Sequence, residues 1–106
     1  MKRVDGIPNF EHINIEIGLK FLNSNVGLYL KILNSFLTRY EHIDIASLNH
    51  DELKDVVHTI KGLSATLGME KLNLLCNGDL TEESIIELTY YLSLVIDELK
   101  KELKTL

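Results

Sequence analysis

The chain has one cysteine, one proline, no tryptophan and fewer basic residues than acidic ones. A single thiol, Cys76, excludes an internal disulfide and fits a reducing compartment. Set beside Leu75 in an apolar run, it reads as a small core residue rather than a reactive group. A net charge of -5 over 106 residues leaves no basic stripe of the kind that binds nucleic acid. No apolar run reaches the ~18–20 residues of a membrane span, and the first residues lack a signal-peptide core. Strand-type alternation, repeats and low-complexity tracts are missing, as are a Walker-type lysine and a glycine-rich nucleotide loop. His42, His50 and His58 follow one another at intervals of eight residues, with no close i,i+4 pair, so no metal site is expected. Together with His12, the first two read as surface or cap residues. These absences lead to the expectation of one cytoplasmic domain over residues 1–106, monomeric, with no direct membrane contact and no cofactor of its own.

What is present is helical periodicity. Residues 1–9 read as an extended lead-in, because Asp5-Gly6 is a turn signal and Pro8 biases Ile7 away from helix. Asn14–Asn23 reads as a short first helix with Ile17, Phe21 and Leu22 facing inward, although Gly18 weakens it. Asn23-Ser24-Asn25 supplies a break and an N-cap. Over 25–43, Val26, Tyr29, Leu30, Leu33, Phe36, Leu37 and Tyr40 form a full amphipathic stripe. Leu28 and Ile32 fall on the other side, where they either pack under the first helix or form an exposed apolar patch. Asn49 can cap the next helix, with Asp51 and Glu52 in its first turn. Met69–Cys76 reads as a short helix with Leu72, Leu75 and Cys76 inward. Thr81 opens a last helix whose stripe is Ile85, Leu88, Leu92, Val95, Leu99 and Leu103. Short links between amphipathic helices favour antiparallel neighbours. The expected fold is all-α, an antiparallel up-and-down four-helix bundle with a short extra N-terminal helix.

The segment from Asn49 to Leu67 carries the chemistry. At 100° per residue, Leu53, Val56, Ile60, Leu63, Ser64 and Leu67 lie within roughly 60° of the side opposite His58. Asp51, Lys54, Asp55, Lys61, Gly62 and Ala65 surround His58 on the polar side, so this histidine is not a core residue. Gly62, one turn on, stands where a side chain would lie beside the imidazole, at a cost of about 1 kcal/mol against alanine. Lys61 puts a flexible ammonium beside the ring. Imidazole, with a reference pKa of about 6.5, keeps a nitrogen lone pair at neutral pH. An exposed histidine with cleared space and a neighbouring cation reads as a nucleophile for a phosphoryl group.

The run His58-Thr59-Ile60-Lys61-Gly62-Leu63-Ser64-Ala65-Thr66-Leu67-Gly68 resembles the signature of histidine-containing phosphotransfer (HPt) domains of bacterial phosphorelays. Gly6-Ile7-Pro8, Gly18-Leu19, Asn25 and Tyr29-Leu30 with Leu33 and Phe36 are similar to the lead-in of HPt domains at the C-terminus of hybrid sensor kinases, whose parent proteins can be anchored in the inner membrane. The resemblance covers residues 6 to 76. It implies a phosphoryl carrier, not an enzyme with kinase activity of its own. His58 would accept the group from a receiver-domain aspartate and pass it to another receiver, with Mg²⁺ on the receiver only. Lys61 would steady the phosphoryl oxygens, and Lys54, Asp55, Gly62 and Ala65 would form the docking surface. A dimerising kinase helix pair is disfavoured because Thr59, not an acidic residue, follows the histidine. A non-phosphorylated docking module that binds receivers is the alternative. One departure stands out: the helix after the motif is usually longer than Asn77-Gly78 permits here, so the bundle is expected to be irregular at the end farther from His58.

Overall fold

Asparagine and threonine caps set where four of the five α-helices begin. In the computed structural model, which describes residues 7 and 10–104, Asn14 accepts a hydrogen bond from the Glu16 amide and opens α1, Ile15–Phe21. Asn25 does the same toward Leu28 and opens α2, Val26–Tyr40. A 3-10 turn, Ile45–Ser47, then leads to α3, His50–Leu67. Asn49 and Glu52 exchange side-chain-to-backbone hydrogen bonds at the start of α3 (2.8 and 2.9 Å), which satisfies two amides that the first turn leaves unpaired. α4, Glu70–Leu75, is short, and α5, Glu82–Leu103, opens on a matching box between Thr81 and Ser84. Among the described residues there is no strand, and the chain is all-helical. The turn and bias expected at Asp5-Gly6 and Pro8 lie outside the described residues.

α3 packs against α1 and α4, α2 against α5, and α4 against α5, with α1 and α3 also touching α2. The core runs through Tyr29, Leu33 and Phe36 of α2, Ile60 and Leu67 of α3, Leu72 of α4, and Leu88, Val95 and Leu99 of α5. All the stripes expected for α2, α3 and α5 point to this core, with Val26, Leu30, Leu37, Val56, Leu63, Ile85 and Leu103 half-buried at its margin. Ile32 joins that margin, whereas Leu28 stays exposed. In α4, Leu72 and the cap residue Cys76 are buried and Leu75 is half-buried.

The first helix turns a different face inward from the one expected. Ile15, Gly18 and Leu19 are buried, Ile17 and Leu22 are only half-buried, and Phe21 is 65% exposed. The reason is Gly18. A Cβ there would run into the Tyr29 ring and the Leu67 carbonyl. Glycine thus lets α1 sit directly on α2 and the end of α3, an attraction that no hydrophobic pattern registers. Tyr29 Oη donates to that same Leu67 carbonyl at 2.7 Å, deep in the core, and so satisfies one of the carbonyls that a helix C-terminus leaves unpaired. Gly68 completes the junction: it caps α3 in the left-handed region (φ 84°), and its carbonyl accepts the Asn14 amide at 2.8 Å.

The N-terminal segment is fastened to α5. Ile7, Phe10 and Ile13 are buried, and the Glu98 carboxylate accepts from the amides of Glu11 and His12. His12 is therefore not a surface or cap residue. It is half-buried, edge-on to Tyr91 at a centroid distance of 5.4 Å, with Nδ1 3.3 Å from the Tyr91 hydroxyl.

Gly18→Ala should destabilise the fold by about 1–3 kcal/mol, because the new methyl must displace a ring and a backbone carbonyl. Urea unfolding followed by circular dichroism measures it; a change within about 0.5 kcal/mol, as at ordinary surface sites, would show that the junction is not tightly constrained.

Candidate functional site

The residues that the sequence places around His58 are brought to the surface together by the second to fifth turns of α3. His58, Lys54, Asp55, Lys61, Gly62 and Ala65 are all exposed, while Leu53, Val57, Ile60, Ser64 and Leu67 on the other side are buried. His58 is exposed, and among the described residues neither of its ring nitrogens has a hydrogen-bond partner. Asp55 does not orient the ring. Its backbone carbonyl accepts from the Thr59 hydroxyl at 2.9 Å, and its carboxylate stands free of the imidazole.

Gly62 is in mid-helix with open space where its side chain would be. A Cβ built there meets nothing within 4 Å. This contrasts with Gly18 and Gly68, whose missing side chains are demanded by the chain's own packing. Nothing within the fold calls for glycine at position 62.

The two flanks of His58 differ. Helical geometry puts Gly62 and Asp55 on one flank, and Lys54, Lys61 and His50 on the other. That second flank faces an open groove of about 420 Å³, lined by His50, Lys54, His58 and Lys61 from α3 and by Cys76, Gly78, Asp79 and Leu80 from the far side, with Val57 at its base. The chain beyond α4 therefore runs beside His58, and the irregularity expected at the far end of the bundle lies next to the candidate nucleophile instead. The physical reason is register. α4 turns back at Gly68 and is level with Lys61 by Asn73, whose amide donates to the Lys61 carbonyl at 2.7 Å. Six residues of helix advance only about 9 Å, so α4 ends close to the level of His58 itself.

His50, read from sequence as isolated, shares this groove. The signal was available: His50, Lys54, His58 and Lys61 recur at intervals of four, four and three, one face of a helix. Asp79 and Leu80 carried no such signal, since only the shortness of α4 brings them here. A second cavity, about 480 Å³, lies between the N-terminal segment, Lys71 and Tyr91; it contains none of the residues singled out around His58. Among the described residues there is no cluster of three or more metal-ligating side chains, and no helix is long and apolar enough to cross a membrane. No family model, no curated protein and no solved structure matches this chain.

Cys76, at the base of the groove, is buried, and burial pushes its thiol up to about 11, with the Lys61 ammonium pulling it partly back. Burial also raises Tyr29, Tyr40 and Tyr91. For the thiol, the folded value stands above the reference of 9.0. The stability that its burial contributes is therefore complete below about pH 9 and lost as pH rises toward 11. Urea unfolding should show constant stability from neutral pH to about pH 8.5 and a decline above pH 9. That decline should be shallower in Cys76→Ala, and an identical decline in both proteins would assign it to the tyrosines alone.

Proposed function

We propose that this chain is a phosphoryl carrier of the HPt type, accepting a phosphoryl group on His58 from a receiver-domain aspartate and passing it to a second receiver. The observation that carries the reading is the pairing of an exposed, unbonded histidine with a glycine one turn away that the fold itself does not require. A partner's surface needs that clearance; the isolated chain does not. On this reading the helices form an antiparallel bundle of α2, α3, α4 and α5, with α1 as the short extra helix. The two-residue link Gly68-Met69 and the contacts of α4 with both α3 and α5 support that arrangement.

In the transfer, the Nε2 lone pair of His58 attacks phosphorus as the bond from phosphorus to the aspartyl oxygen breaks. The carboxylate leaves with the electron pair, and the imidazolium loses its Nδ1 proton to solvent. Such a transition state is loose, and catalysis comes from position and charge rather than from covalent help. Lys61 supplies positive charge from one turn beyond the ring, and Gly62 with Ala65 and Asp55 offers a low, polar shelf for the receiver. The Mg²⁺ belongs to the receiver, and the carrier needs no nucleotide and no cofactor. Receivers are its partners, the cytoplasm its site, with a hybrid sensor kinase as the parent that the lead-in resembles.

Receiver domains phosphorylated on aspartate should transfer acid-labile, base-stable label to the wild-type chain and not to His58→Gln. Label on both would place the acceptor elsewhere. Label on neither, with receiver binding intact, would leave the non-phosphorylated docking module as the better reading. Gly62→Ala should separate the two demands on that position. The fold should gain up to about 1 kcal/mol in thermal unfolding, while transfer slows by roughly tenfold to a hundredfold, as small misplacements of reacting groups do. Unchanged transfer would remove Gly62 from the docking surface.

A further inference from the structure

The groove beside His58 belongs to an acidic protein, and its own charge is of the opposite sign. Two lysines and two histidines line it against one carboxylate, Asp79, while the whole chain carries a net charge of -5. His50, Lys54, His58, Lys61 and Asp79 are all exposed at its walls, and Val57 and Cys76 are buried beneath. Neither Lys54 nor Lys61 takes part in an ion pair among the described residues. The ion pairs among the described residues join Glu41 to His42 and to Lys100, none of which lines the groove.

Direction along the helix matters as much as charge. Side chains on an α-helix lean toward its N-terminus, so the surface a residue covers lies over the turn before its own Cα. A group carried on Nε2 of His58 thus comes to lie over the turn that holds Lys54, four residues earlier, with Cβ atoms about 5–6 Å apart. Lys61, one turn later, leans back toward the ring from behind. Lys54 stands ahead of the phosphorus and Lys61 behind it. Across the gap there is only the backbone bend at Gly78 (φ 99°) with Asp79 and Leu80, because α4 has already ended.

We propose that this groove is a seat for a phosphoryl dianion, with Lys54 as its principal cation and His50 at its outer end, and that it holds the group carried on His58 between the two transfers. The proposal rests on the phosphoacceptor reading for the covalent group, but the seat itself takes inorganic phosphate without it. Lys54 is a positioning residue, acting on a group bonded to His58. Asp79 opposes the seat and keeps it from binding phosphate tightly enough to block the groove.

Two measurements on the full chain separate the seat from the carrier reading. In the first, inorganic phosphate is titrated into the unphosphorylated protein at low ionic strength and followed by ¹H–¹⁵N NMR. The amides of residues 53–58 and 78–80 should shift together. Lys54→Gln should weaken the affinity by about threefold to fivefold, the range of a single exposed charge pair. Asp79→Asn should strengthen it, Lys101→Gln should leave it unchanged, and His58→Gln should retain most of it. Shifts scattered over the surface lysines, or equal affinity in Lys54→Gln and Asp79→Asn, would overturn the seat. In the second, the protein is phosphorylated on His58 by a receiver, the receiver is removed, and the ³¹P resonance and the hydrolysis half-life are read. Lys54→Gln should move the resonance and change the half-life, and Asp79→Asn should move both the opposite way. A phosphohistidine indifferent to both substitutions would overturn the proposal while leaving the carrier reading intact. Phosphate bound in the groove of a chain that no receiver phosphorylates would uphold the seat and sink the carrier reading.

Discussion

Everything about the position of His58 depends on one close junction at the C-terminal end of α3. Gly18 admits the Tyr29 ring, Tyr29 Oη closes on the Leu67 carbonyl, and Gly68 turns the chain with its own carbonyl held by the Asn14 amide. Three helices meet there at backbone distance, and two of the contacts satisfy carbonyls near a helix end that would otherwise be buried unpaired. The junction fixes where α4 begins. Since α4 is only six residues long, it also fixes where α4 stops, which is beside His58. Local backbone chemistry at one end of α3 thus shapes the surface about ten residues away.

The exposed face of α3 divides into two unlike flanks. One is low and polar, with Gly62 cleared of any side chain; the other is cationic and concave, opening on the loop after α4. A partner that must bring its own loop close to the ring needs the first flank. A transferred anion, which leans toward the N-terminus of the helix that carries it, falls toward the second. On the proposed reading, approach and storage are separate, and a docking partner and a phosphoryl group would not compete for the same cations. The buried thiol of Cys76 closes the bottom of the concave side without adding a reactive group, because burial hides it and raises its pKa further above neutral pH.

Much of this was legible in the amino-acid order. The stripes of α2, α3 and α5 point inward as their periodicity requires, and Asn25, Asn49 and Thr81 cap their helices through side-chain oxygens. The exposure of His58, Lys61 and Gly62 also followed from the pattern, since a polar arc of α3 has nowhere to go but outward. Three features were not legible, each for its own reason. The inward face of α1 is set by a glycine, whose contribution is an absence of atoms, so Phe21 lies outside while Gly18 lies within. The burial of His12 against Tyr91 depends on a tertiary crossing between segments far apart in the chain. The placement of Asp79 and Leu80 beside His58 depends on helix register, which the sequence indicates only through Asn77-Gly78 and which demands counting from Gly68 rather than from the far end.

The fastening of the N-terminal segment has a mechanical consequence. Glu98 grips the backbone of Glu11 and His12 on the last turns of α5, beyond the level of Tyr91, while the groove residues Asp79 and Leu80 precede its first turn. Along a straight helix, the interval from Glu82 to Glu98 is about 24 Å. The same segment is held to the C-terminal end of α3 through Asn14 and Gly68, and about 15 Å of helix separates that end from His58, so a pull on the segment would load the junction and not the surroundings of the ring. Movement of the segment would then turn α3 as one body, and the face that bears His58 would change direction without any helix bending.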